Sequence, residues 1–247
     1  MLLFPRSWYP SPIAPAAREW MLHVAKCFFV ARRDGGASVT EYPYLVLPTG
    51  YHLPSCRMDN PNEWVQELFD AVRFHAGLAH WPARVTPVDG RHENFPTRAH
   101  YPGLHPPPRT FTYDASMGAD DLVTQFASHM AGWWLERYGP DALAPDATTS
   151  RRLQELIAVL MGFGLFVTRA ALLRPHSESS PPGLGPTEAV YALALFCQVT
   201  RTPLRRATPH LSRDLRLDLR AAYRSLRTSQ HLHSASLQPC WKRGGEG

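Results

Sequence analysis

The sequence predicts an α+β protein that is predominantly helical. Apolar side chains recur at helical spacing near 61–76, 119–138, 153–171, 187–199 and 212–227, each time bounded by capping or breaking residues. The β-like runs are short and lie mostly in the first 60 residues. The 24 prolines gather between the periodic segments, so compact helices should alternate with long irregular connections.

A chain of 247 residues with 44% apolar and 11% aromatic side chains is long and apolar enough to bury a sizeable core. One domain over 1–228 is expected, with a β-containing part at 1–60, a helical core at 61–228 and a tail at 229–247. Cys27, Cys56, Cys197 and Cys240 form no Cys-x-x-Cys pair and no dense framework, which fits reduced thiols and a cytoplasmic setting. Met1 to Pro10 has no apolar run of the length a signal peptide uses. The stretch from Leu156 to Val167 is shorter than the roughly 20 residues of a bilayer span and is followed by Arg169, so it reads as a buried helix and no membrane is expected.

Taken in order, 16–26 suggests a short helix. Cys27 to Arg33 and Val39 to Leu47 are β-branched and aromatic runs on either side of Arg-Asp-Gly-Gly, which predicts a hairpin. Asn60, Pro61 and Glu63 form an N-terminal capping pattern for a helix that buries Trp64, Leu68, Val72 and Ala76 and stops at Gly77. Strands are predicted at Ala83–Val88 and at Arg109–Tyr113, with an irregular Pro- and His-rich stretch between them. Asp114 or Ser116 begins a helix near 119–138 that places Leu122, Phe126, His129 and Trp133 on one face, with Asp120 and Asp121 complementing its dipole. Gly162 and Gly164, inside the most apolar helix, point to a close backbone approach. The last helix buries Leu215, Leu219, Ala222 and Leu226 and turns its arginines outward.

One constellation carries chemistry. Val46-Leu47-Pro48, His80-Trp81-Pro82, Thr112-Tyr113-Asp114, Leu122-Val123 with Ala127 and His129, Leu156 to Phe166 around Gly162-Phe163-Gly164, and Tyr191 to Phe196 together cover most of the chain from Leu45 to Leu226. This set resembles a bacterial family of zincin-like proteins, in which a His-Glu-x-x-His helix is followed by an apolar helix holding Gly-Phe-Gly. The resemblance implies a zincin-like helix pair. In such a pair two histidines four apart grip one Zn²⁺ and the glutamate serves as general base.

Against that pattern the motif here reads His129-Met130-Ala131-Gly132-Trp133. His129 stands at the first ligand position, Met130 at the base and Trp133 at the second ligand. Counting back from Gly162, Arg151 falls where the resemblance implies a glutamate and Glu155 where it implies an aspartate. A guanidinium is a fixed cation and ligates no metal. His129 with Glu155 makes neither a closed site nor a three-ligand open one, so zinc is not expected and no catalytic residue is assigned. Met130 and Trp133 suit apolar packing, Glu155 can pair with Arg151 or Arg152 on its own helix, and His129 then becomes a core or groove histidine with one hydrogen-bond partner.

Other groupings are weaker. His92, Glu93, His100 and His105 offer ligand chemistry without a known spacing, and His176 with Glu178 or His231 with His233 offers less. There is no Gly-x-Ser-x-Gly elbow and no phosphate-cradling glycine loop. The net charge of +5 reflects Arg201, Arg205, Arg206, Arg213, Arg216, Arg220, Arg224 and Arg227, a solvated face without an aromatic platform, so nucleic acid is not favoured as a partner. The expectation is a catalytically inactive, zincin-like pseudo-metallopeptidase. Its remnant cleft of His129, Met130, Trp133, Arg151 and Glu155 would bind a peptide or protein partner, with strand Arg109–Tyr113 free to accept an extended segment. The alternatives are a metal-dependent hydrolase that joins His129 to a histidine of the 92–105 loop, and a nucleic-acid module built on the C-terminal arginines.

Overall fold

A computed structural model describes residues 13–34, 43–55, 60–88, 109–139, 143, 150–174 and 183–228. The elements run α1 (Pro15–Asp34), α2 (Pro61–His75), β1 (Ala83–Pro87), β2 (Arg109–Tyr113), α3 (Ala119–Tyr138), α4 (Ser150–Ala158), a π-helical turn (Val159–Phe163), α5 (Gly164–Leu173), α6 (Pro186–Val199), α7 (Leu204–Ala207), a 3-10 turn (Thr208–His210) and α8 (Arg213–Thr228). The protein is predominantly helical with one two-stranded sheet, and the fold centres on the rod α4–π–α5, packed between α3 on one side and α6 on the other. By length and composition this rod, Ser150–Leu173, would reach across a membrane, but 78% of its apolar window is buried inside the fold.

The N-terminal hairpin expected from the sequence is not formed. Cys27 to Arg33 continues α1, because Met21, Val24, Ala25 and Phe28 follow the steps of three and four that put one stripe of a helix into the core. Aromatic and β-branched enrichment misread that segment as a strand. Residues 43–47 have no regular structure and pair with no strand among the described residues, and 35–42 lie outside them. The sheet is instead β1 with β2, parallel, pairing Ala83 with Arg109 through Pro87 with Tyr113.

The α2 boundaries follow the predicted caps. Asn60 Oδ1 accepts from the Glu63 amide at 3.3 Å and Asn60 Nδ2 donates to the Glu63 carboxylate at 2.9 Å. At the other end Gly77 has φ of +78° and Leu78 N–H returns to Arg73 O at 2.9 Å, which closes the helix. The start of α3 differs slightly from expectation. Asp114 folds an Asx turn onto Ser116, the helix begins after Gly118, and Asp120 also bridges to Arg169 of α5 at 2.6 Å.

The rod is bent at Gly162, whose φ of +111° lies in the left-handed half of conformational space. The bend is where a second backbone enters. Val46 N–H donates to Gly162 O at 3.0 Å, and the Tyr44 carbonyl occupies the space a Cβ on Gly162 would need. A carbonyl released by the π turn thus finds a donor in the 43–47 segment. Gly164, at helical dihedrals, faces only side-chain carbons, Leu193 Cδ1 and Val159 Cγ1. Urea unfolding should therefore find Gly162→Ala destabilised by about 2 kcal/mol or more, from positive φ and the blocked carbonyl, and Gly164→Ala by clearly less.

Candidate functional site

The five residues singled out in the sequence divide into three settings. Met130 is 0% exposed and Trp133 is 2% exposed, both within the core. Trp133 meets Trp81 edge-on at a centroid distance of 4.5 Å, approaches Phe111 at 5.8 Å and lies under the Arg109 guanidinium at 5.5 Å. Arg109 is held in turn by Glu136. The indole therefore fills the space between α3, β2 and the Trp81 turn with apolar contact and one cation–π contact.

His129 packs its ring against Phe111 at 5.1 Å, on the strand side of α3. Its Nε2 is buried and meets no hydrogen-bond partner among the described residues, so the expected single partner is not seen for that nitrogen. Burial holds the imidazole below the ordinary histidine pKa, so it is neutral in the folded protein at neutral pH.

Glu155 faces another way. It is 2% exposed, and its carboxylate accepts from Arg174 Nη2 at 2.6 Å, Arg151 Nε at 3.2 Å and Leu184 N–H at 2.7 Å. Gly183 lies against this carboxylate and Arg174 so closely that a Cβ there would strike both. The predicted pairing with Arg151 is present. Arg152 instead reaches Glu188 on α6 and stacks over Trp20 of α1 at 4.6 Å. The structure joins Arg151 to Glu155, while the His129 ring packs against Phe111. No group of three or more His, Cys, Asp or Glu side chains converges on a metal position among the described residues. His92, Glu93, His100, His105, His176, Glu178, His231 and His233 lie outside them.

A second polar cluster has no local sequence signal. The Tyr44 hydroxyl bonds His75 Nδ1, and His75 Nε2 lies 2.6 Å from the His52 carbonyl. The carbonyl can only accept, so His75 carries its proton on Nε2 and Nδ1 accepts from Tyr44. The His52 ring lies 5.5 Å from His75 and 5.8 Å from Tyr44. Partners 31 and 23 residues apart in sequence come together because the 43–47 segment is pinned at the Gly162 bend beside the end of α2.

Burial lowers the pKa of His75, opposed by its bond to the His52 carbonyl, and burial first, then His75 and Arg206, lowers that of His52. With His129 this makes three histidines whose folded pKa lies below the unfolded one. Their contribution to stability is present above the unfolded value of about 6.5 and is lost as pH falls from there toward the folded values. Thermal unfolding followed from pH 7.5 to 5 should show that loss, and His129→Leu should make the fall shallower without lowering stability at neutral pH.

The two sides of Glu155 make a separate contrast. Removing the carboxylate in Glu155→Ala strands Arg174 and the Leu184 amide and should cost on the order of 3 kcal/mol in chemical denaturation. Arg151, whose side chain is 41% exposed, should cost under about 1 kcal/mol as Arg151→Ala. Compared with protein-family models, with curated proteins and with solved structures, the chain finds no match in any of the three.

Proposed function

We propose that this protein is a non-catalytic, zincin-like scaffold that binds an extended peptide segment along the outer edge of β2. The observation that carries the reading is the direction of the β2 backbone. Arg109 N–H reaches Pro82 O at 3.1 Å and Val88 N–H reaches Tyr113 O at 2.9 Å, which fixes the parallel ladder so that Arg109, Phe111 and Tyr113 turn their amides and carbonyls toward β1. Thr110 and Thr112 therefore turn theirs the other way. Both residues are exposed, and none of these four backbone groups bonds a described residue.

The outer edge of β1 is treated differently. Val85 N–H is taken by Gln66 Oε1 at 3.2 Å, which blunts that side as natural sheets do. An incoming strand at β2 would find two donors and two acceptors spaced for main-chain pairing. The zincin-like part of the proposal draws on the helix pair α3 and α4–π–α5 together with the sequence resemblance. The non-catalytic part is supported by Trp133 and Met130 in the core, Arg151 at an implied ligand position, and a Glu155 carboxylate already occupied by two guanidinium groups and an amide.

The test combines metal and peptide binding. Protein purified without chelator should carry no stoichiometric zinc, and elemental analysis giving one tightly held zinc per chain, lost in His129→Ala, would favour the hydrolase reading instead. Peptides selected on the immobilised protein from a library of extended segments should lose roughly tenfold or more in affinity on Thr112→Pro. That change removes an outward amide and leaves the β1–β2 ladder intact. Selected peptides that bind Thr112→Pro as well as the parent would refute strand addition at β2.

A further inference from the structure

Five arginines of α8 share one exposed line. The steps of three, four, four and three from Arg213 through Arg216, Arg220 and Arg224 to Arg227 keep all five within a sector of about 80°, along about 21 Å of helix. Each of the five is exposed. The side facing the fold is already committed, since Leu215, Leu219, Ala222 and Leu226 are buried and α8 packs on α6. Asp214 and Asp218 lie roughly 140° round the helix from the arginines, so no carboxylate of α8 interrupts the line. Arg213, Arg216, Arg220 and Arg227 form no ion pair among the described residues. Arg216 is also set in place, because its Nε donates to Leu211 O at 2.8 Å and leaves the Nη groups for a ligand.

A ridge of guanidinium groups without an acid in it suits a partner that carries negative charge at repeated positions over a comparable length. The forked edge of arginine matches phosphate oxygens in particular. A membrane fits less well, because an interfacial helix inserts its apolar face. In α8 that face is buried, and Leu217, 54% exposed, is the one large apolar side chain left beside the arginines. A single strand asks for rings on which its bases can stack, and the one ring of α8, Tyr223, is half-buried against the core. The want of an aromatic platform therefore counts against single strands alone. A duplex keeps its bases stacked and offers the ridge its phosphates. Packed on α6, the helix cannot sink into a groove, so its contact is with the backbone and carries no base sequence.

We propose that the arginine ridge of α8 is a docking surface for the phosphodiester backbone of double-stranded nucleic acid, bound without regard to base sequence. One phosphate per guanidinium gives about four or five contacts. The surface shares neither residues nor chemistry with the β2 edge, so either can fail alone.

Fluorescence anisotropy of the full chain with labelled duplexes of about 20 base pairs tests this, in DNA and RNA form and in two unrelated sequences, against a DNA single strand and phosphatidylserine vesicles. The two sequences should bind alike, and affinity should fall with salt along a log–log slope of about −4. Arg220→Gln/Arg227→Gln should weaken duplex binding roughly tenfold or more at low salt and bring the slope to about −2. Lys26→Gln/Arg137→Gln removes the same charge from exposed positions on α1 and α3 and should weaken it less than about threefold. All four side chains are exposed, and thermal melts matching the parent verify that both variants are folded. Whichever of DNA and RNA binds tighter names the duplex. Absence of duplex binding at low salt, or equal losses in the two double variants, would overturn the surface. Tighter binding to the single strand or to the vesicles than to either duplex would overturn the duplex assignment.

Discussion

The carboxylate of Glu155 is the constraint around which the helical core is arranged. A charge so deeply buried is tolerable only when its oxygens are filled by well-placed donors. Here they come from three places along the chain: Arg151 one turn back on α4, Arg174 just past α5, and the Leu184 amide ahead of α6. Those donors fix where the rod ends and where the chain returns to start α6. The room left at Gly183 is too small for any side chain, so the return passes directly over the ion pair. Next to it, Arg152 links α4 to Glu188 of α6 and to Trp20 of α1. The first turn of α4 is consequently the junction of four helices, and the apolar length of the rod follows from being surrounded by them.

The proposed non-catalytic reading draws on the same side chain. In the zincin pattern an acidic side chain of the second helix would turn toward the histidine helix, whereas Glu155 turns toward Arg174 and the return loop. On the other side of α3, the position of a second histidine holds an indole that packs on Trp81 and carries Arg109 on its face. The indole fills its position with apolar contact to Trp81 and Phe111. His129 keeps a neutral imidazole against Phe111, a state that burial favours and that acid works against.

How much of this was legible in the sequence depended on whether the signal was local. Asn60, Pro61, Glu63 and Gly77 are cap residues whose partners lie within one turn, and α2 has the predicted limits to within a residue. The strands, α3, α6 and α8 were readable for the same reason, and so was the Arg151–Glu155 pair at a spacing of four. Cys27 to Arg33 failed because a helix that buries one stripe of aromatic residues has the composition of a strand, and only its spacing tells them apart. The two glycines of the rod announced a close approach, but not that Tyr44 and Val46 would supply it. Arg174, Leu184, Tyr44 and His75 were invisible as partners because each meets its counterpart across a turn or a long stretch of chain.

The bend at Gly162 connects these observations. A straight rod would keep its carbonyls to itself and offer nothing to the 43–47 segment. The π turn releases one to Val46, which brings Tyr44 over the end of α2, where His75 waits with its proton already directed to the His52 carbonyl. These bonds fix the tautomers: His75 accepts from Tyr44 at Nδ1, and His52, held at Nδ1 by the Leu47 amide, keeps its proton on Nε2. The bend in the rod thereby sets the hydrogen bonding of both imidazoles.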